Sequence, residues 1–141
     1  MAEKTPVFTG NEGEIILNSE VKAIKDAHKG RRSDIEKEGK DNYVEAEFFG
    51  LNTFKKLIKK FENTCVGFRV YYGNREEDHS GSGIKVTKDG SGKRTARVVI
   101  VPVDQYGNDL RSPIGLKDDD DGSGMANGPL CPNKCAPPTD D

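Results

Sequence analysis

Gly50-Leu51-Asn52-Thr53-Phe54-Lys55-Lys56-Leu57-Ile58-Lys59-Lys60-Phe61, followed after three residues by Cys65-Val66-Gly67-Phe68-Arg69-Val70-Tyr71-Tyr72-Gly73, decides the fold. In the first segment Leu51, Phe54, Leu57, Ile58 and Phe61 recur with the period of an amphipathic helix. Lys55, Lys56, Lys59 and Lys60 fall mostly on the other side, and Asn52 or Thr53 offers a cap oxygen. The second segment, Cys65 to Tyr72, is too apolar for a strand half in water, so it predicts a strand inside a core. Asn63 and Thr64 supply the turn between the two.

Upstream, Tyr43-Val44-Glu45-Ala46-Glu47-Phe48 alternates with period two. It predicts a strand with Val44, Ala46 and Phe48 on its apolar face and Glu45 and Glu47 outward. Further upstream, Leu17, Val21, Ile24 and His28 are spaced four, three and four apart, a helix face. Asn18 or Ser19 is the expected N-cap, and Glu20 suits the positive end of the helix dipole. Gly30 ends this helix, or Arg31 to Glu38 continue it as far as Gly39. Downstream, Gly73 to Gly92 reads as a long polar loop holding a short strand near Ile84–Thr87 and the turn Lys88–Gly92. Arg94 to Val103 is the next strand, its apolar run suited to a central position, with Pro102 near its end. Asp104 to Asp109 is a turn.

The expected organisation is therefore a polar lead-in over residues 1–13, a single α+β domain over 14–110, and a Gly/Pro/Asp-rich irregular tail over 111–141. The fold class is α+β: two helices packed on a small, mainly antiparallel sheet of three to five strands.

Composition narrows the functional classes. Of 141 residues, 33% are hydrophobic and 33% charged, yet the net charge is only -2, so both signs are mixed through the chain. That implies a small core with substantial polar loops. A pI of about 5.8 weighs against a dedicated nucleic-acid binder. The sequence holds no stretch of about 18 apolar residues, the length a membrane span needs, and Met1 to Pro6 have no apolar core of a signal peptide. The expected location is cytoplasmic, where three cysteines do not default to a disulfide framework.

Phe48-Phe49-Gly50, the helix ending in Leu57-Ile58, and Val66-Gly67-Phe68-Arg69-Val70-Tyr71-Tyr72-Gly73 resemble small uncharacterised proteins of Bacteroidetes-type bacteria. In that family a GIRIYYG-like strand follows a short helix and a VLVPxD-like strand comes next, here Val99-Ile100-Val101-Pro102-Val103-Asp104. Asn127-Gly128-Pro129-Leu130-Cys131-Pro132-Asn133-Lys134-Cys135 is similar to its closing NxGxLCPPxC segment, with Asn133 where a second proline is usual. The resemblance covers residues 44 to 135 and implies no activity, substrate or cofactor. It does imply that the Cys131/Cys135 segment belongs to the design of the domain.

Among chemistry-bearing residues, Cys131 and Cys135 form a Cys-x3-Cys pair, open to a tail-closing disulfide, a metal site or free thiols. A structural zinc site needs four ligands, and only Cys65, His28 and His79 remain to complete one. Gly90-Ser91-Gly92-Lys93-Arg94-Thr95 lacks the first glycine and the final Ser or Thr of a phosphate loop and precedes a strand, so it reads as a hairpin turn. Lys117-Asp118-Asp119-Asp120-Asp121-Gly122 lacks the first and twelfth ligands of a calcium loop, so it reads as a solvated acidic segment. Lys55, Lys56, Lys59 and Lys60, with the cations of the first helix, form either a basic patch for nucleic acid or simply solvated helix faces. Tyr71, Tyr72, Phe49 and Tyr106 are the aromatics placed to reach the surface, and aromatics are enriched at interfaces. His79 lies in a Gly/Ser loop, His28 lacks an evident partner, and no nucleophile, base and orienting group come together.

The reading is a non-enzymatic module for protein–protein contact, including contact with itself, with no cofactor implied. A thiol- or metal-dependent module built on the Cys pair, and a nucleic-acid accessory built on the helical lysines, are the alternatives.

Overall fold

The computed structural model describes residues 4–37, 43–81, 84–111 and 123–131. In chain order they form α1 (Asn18–Lys29), α2 (Arg32–Glu36), β1 (Ala46–Glu47), α3 (Leu51–Lys60), β2 (Cys65–Asp78), β3 (Lys85–Val86), β4 (Lys93–Asp104) and β5 (Leu130–Cys131). β3, β2 and β4 make a three-stranded sheet in that order, and β1 pairs with β5 in a second, two-stranded one. The α+β class expected from the sequence is the class of the fold. The chain divides into two compact units, and β2 and β4 contribute residues to both.

One unit comprises Met1–Glu14, Phe49–Tyr71 and Val99–Asn127. Its core is Leu57, Ile100 and Met125, with Phe49, Phe54, Phe61 and Phe68 packed against them. Phe54 meets Phe68 edge to face, 5.5 Å between ring centroids, a preferred aromatic geometry. Of the expected stripe on α3, Leu57 is buried and Phe54 and Phe61 are half-buried, while Leu51 and Ile58 are exposed. The helix also begins earlier than its polar residues suggest. Gly50 is the N-cap, and its carbonyl accepts from Thr53 and Phe54 N–H at 3.1 and 3.2 Å. Lys59 and Lys60 lie in the last turn, where the dipole favours cations.

β4 is flanked by β2 and, among the described residues, by two isolated bridges rather than a full strand: one joins Val103 to Asp109 and the other joins Ile100 to Met125. In the latter bridge Ile100 and Met125 exchange N–H···O bonds of 2.9 and 2.8 Å. The segment 123–131 therefore supplies Met125 to this core and β5 to the second sheet. Asp104 closes the following turn: its carboxylate accepts from the N–H groups of Tyr106 and Asn108, both at 2.9 Å. Gly107 there has φ +87°, a conformation open to glycine.

The other unit comprises Ile15–Phe48, Tyr72–Val98 and Gly128–Asp141. The cap of α1 is Leu17 rather than Asn18 or Ser19, because the Glu20 carboxylate reaches back to the Leu17 N–H at 3.0 Å, one half of a capping box. Gly30 keeps a right-handed conformation, so only a brief break separates α1 from α2. β2 runs on to Asp78, into residues expected to be loop. β3 forms within the short strand foreseen there, pairing antiparallel with Glu77 and Asp78.

The phase of β1 is the reverse of the expected one. Ala46 and Phe48 are exposed, while the Glu47 side chain is inside the unit. The alternation was real, but an ion pair rather than an apolar contact sets which face turns inward.

Candidate functional site

Two features of the second unit stand out, and the first is an interior ion network. Glu77 is fully buried. Its Oε2 accepts from Arg75 Nε at 2.8 Å and Arg97 Nε at 2.7 Å, and its Oε1 accepts from Arg97 Nη2 at 2.9 Å. The Arg97 fork is thus bidentate. The Nη1 of Arg97 donates to the Gly128 carbonyl at 2.9 Å and to Glu47 Oε2 at 3.2 Å. Glu47 in turn accepts from the backbone N–H of Gly128 at 2.8 Å and Val98 at 3.2 Å. His79 Nε2 stands 3.0 Å from Thr95 Oγ1 and 3.4 Å from Glu77 Oε1. Thr95 donates its own hydroxyl proton to the Lys93 carbonyl, so Nε2 is assigned the imidazole proton.

Burial works against a charge on Glu77, but hydrogen bonds from Arg97 and Arg75 and their positive charges outweigh it and hold its carboxyl below the ordinary range. A carboxylate held ionised by three charge-assisted hydrogen bonds is a weak base. The network fastens β1, β2, β4 and the approach to β5.

The second feature is the apolar face of α1. The helix buries none of its residues. Leu17 is 69% exposed, Ile24 66% and Val21 41%, and Ile15 just upstream is fully exposed. The hydrogen bonds, ion pairs and ring contacts that join α1 to the rest of the unit, among the described residues, come from its last turn. His28 Nε2 lies 2.8 Å from the Val44 carbonyl and its ring stacks on Tyr43 at 5.4 Å. Lys29 pairs with Glu45 at 3.2 Å, and just beyond, Arg32 of α2 lies over the Tyr43 ring. An isolated helix of about 12 residues is marginal in water, so an anchored helix with a bare apolar stripe has surface left to bury.

The first unit holds a cavity of about 380 Å3 between the N-terminal segment and β2, lined by Phe8, Gly10, Val66, Phe68 and Val103 and by two charged residues. Both charges are already engaged. Arg69 donates to Asp109 at 2.7 Å and to the Gly107 carbonyl at 3.2 Å. The Glu12 carboxylate accepts from the N–H groups of Thr9 and Gly10, both at 2.8 Å.

The residues singled out from the sequence are scattered. Tyr72 is 90% exposed; Tyr71 is exposed but donates its hydroxyl to Asp109. Phe49 packs against the core cluster, and Tyr106 is half-buried with Lys4 over its ring. Lys55, Lys56, Lys59 and Lys60 all lie on the exposed side of α3. Cys131 has its backbone in β5, and Cys135 and the Lys117–Gly122 segment lie outside the described residues. Cys65 is a half-buried free thiol whose Sγ lies 3.2 Å from the Gly67 carbonyl. Glu47, Glu77 and Arg97 were not anticipated as a group. The available signal was Arg75, Glu77 and His79 alternating along one strand and Thr95 and Arg97 along another. Among the described residues no helix is long and apolar enough to cross a membrane. No family model, curated protein or solved structure matches the chain.

Proposed function

We propose that this protein is a non-enzymatic module that works by protein–protein contact, with the apolar face of α1 as its contact surface and a copy of itself as a partner. One observation carries this reading: Leu17, Val21 and Ile24 form a helical stripe that is uncovered among the described residues, although the sequence spaces them as a buried face. A stripe of that kind on an otherwise charged helix marks an interaction site.

Sedimentation equilibrium of the full chain tests it. The expected result is a mass above that of the monomer that falls when Ile24 is replaced by Asp. Because Ile24 is exposed, the melting temperature of the dilute protein should hardly change. A monomer at every concentration, up to about 1 mM, where even weak association shows, would remove the reading.

A further inference from the structure

The charges beside the α1 stripe specify more than stickiness. With Leu17 and Ile24 at d positions and Val21 and His28 at a positions of a heptad, Glu20 falls at g and Lys25 at e. On the far side of the helix Lys22 at b and Asp26 at f form an i,i+4 ion pair of 2.6 Å. Lys25 has no hydrogen bond or ion pair among the described residues. Glu20 is exposed and uses one carboxylate oxygen, Oε2, for the Leu17 N–H. His28 is held by Val44 and Tyr43, so the open seam runs from Leu17 to Ile24.

We infer that α1 pairs in parallel with α1 of a second copy of this chain, with Glu20 of each copy opposite Lys25 of the other. In a parallel pair a g residue faces the e residue five positions on in the partner helix, and Glu20 and Lys25 have that spacing. The two-fold axis makes the contact twice. In an antiparallel pair g would face g and e would face e, placing Glu20 near Ala27 and Lys25 near Asn18, with no ion pair formed. Val21, β-branched at an a position, suits a two-stranded arrangement. This inference rests on the reading of α1 as the contact surface and adds the partner's orientation and register to it.

The test is a charge-swap series on the full chain, read by sedimentation equilibrium. Glu20→Lys leaves two cations facing two cations, and Lys25→Glu leaves two anions facing two anions. Each alone is expected to weaken the dimer about tenfold, through lost pairs and new repulsions. An equimolar mixture of the two variants, in which every facing pair is again opposite in sign, is expected to recover the wild-type mass. Glu20 also caps the helix, so circular dichroism accompanies that variant. Lys25→Glu carries no capping role and bears the argument by itself. If the wild type dimerises and Ile24→Asp disrupts it, but Lys25→Glu and the mixture behave like the wild type, the parallel register is overturned while the contact surface stands. If the wild type is monomeric, both are overturned.

Discussion

Glu77 and Arg97 place two full charges inside a unit that has little apolar mass to hold them, and their energetics are those of a paired interior. Removing one partner leaves the other desolvated and alone. Arg97→Met, which strips the cation from both Glu77 and Glu47, is expected to cost about 3–5 kcal/mol in urea unfolding. Glu77→Gln keeps the shape but loses the charge, and its signature lies in pH. The folded carboxyl titrates below its ordinary value of 4.5. Between that folded value and 4.5 the unfolded chain therefore binds more protons, and stability rises with pH. The contribution of Glu77 is fully present above about 4.5 and is lost as the pH falls through the folded value. Wild-type stability should thus drop below pH 4.5 more steeply than that of Glu77→Gln, as seen in unfolding midpoints measured down the acid limb. Parallel curves would mean that Glu77 carries no such shift. The residues of this network were visible in the sequence, but strand reasoning seeks apolar alternation, and here ionised side chains take the inward positions.

Among the elements, those most legible in sequence were those with a strong apolar period. α3, the first part of β2, and β4 draw their side chains into one cluster around Leu57, Ile100 and Met125, so pattern and burial agree. β1 was legible as a strand but not in phase, because Glu47 is drawn inward by Arg97 and by the backbone N–H groups of Val98 and Gly128. The second half of β2 was illegible because Glu76 accepts from Thr87, just after β3, and Glu77 from Arg97 of β4, through polar side chains that read as loop. β5 was hidden in a segment whose Gly and Pro content suggests irregular structure, and its position depends on one glycine. A Cβ at Gly128 would stand 2.0 Å from the Phe48 carbonyl oxygen and 3.0 Å from Glu47 Cγ, backbone and buried side chain alike. Gly128→Ala is therefore expected to cost roughly 2–3 kcal/mol and to raise amide exchange at Phe48, whose N–H donates to the Pro129 carbonyl at 2.9 Å. Unchanged exchange at Phe48 would show that the pairing of β1 with β5 accommodates the added methyl group.

For the molecule as a whole, the apolar surface and the folding equilibrium are linked through concentration. The chain has only 33% hydrophobic residues, and several of its larger ones, Ile15, Leu17 and Ile24 among them, remain at the surface. A protein of this composition gains by burying them on a partner, and any species that binds only the folded state stabilises it by mass action. If α1 pairs with α1, the melting temperature of the wild type must rise with protein concentration, since dissociation and unfolding become one equilibrium. A hundredfold increase above the dissociation constant is worth about 2.7 kcal/mol, which for a domain of this length is a shift of several degrees. Ile24→Asp, unable to pair, should melt at one temperature across the same range, matching the wild type when both are dilute. The dependence also separates association from aggregation, because a reversible dimer gives the same curve on rescanning whereas a precipitating monomer does not. A wild-type melting temperature independent of concentration, alongside a confirmed dimer, would mean that the copies stay joined after unfolding and would remove α1 as the basis of the dimer, because a helix of 12 residues does not stay paired once the chain behind it has melted.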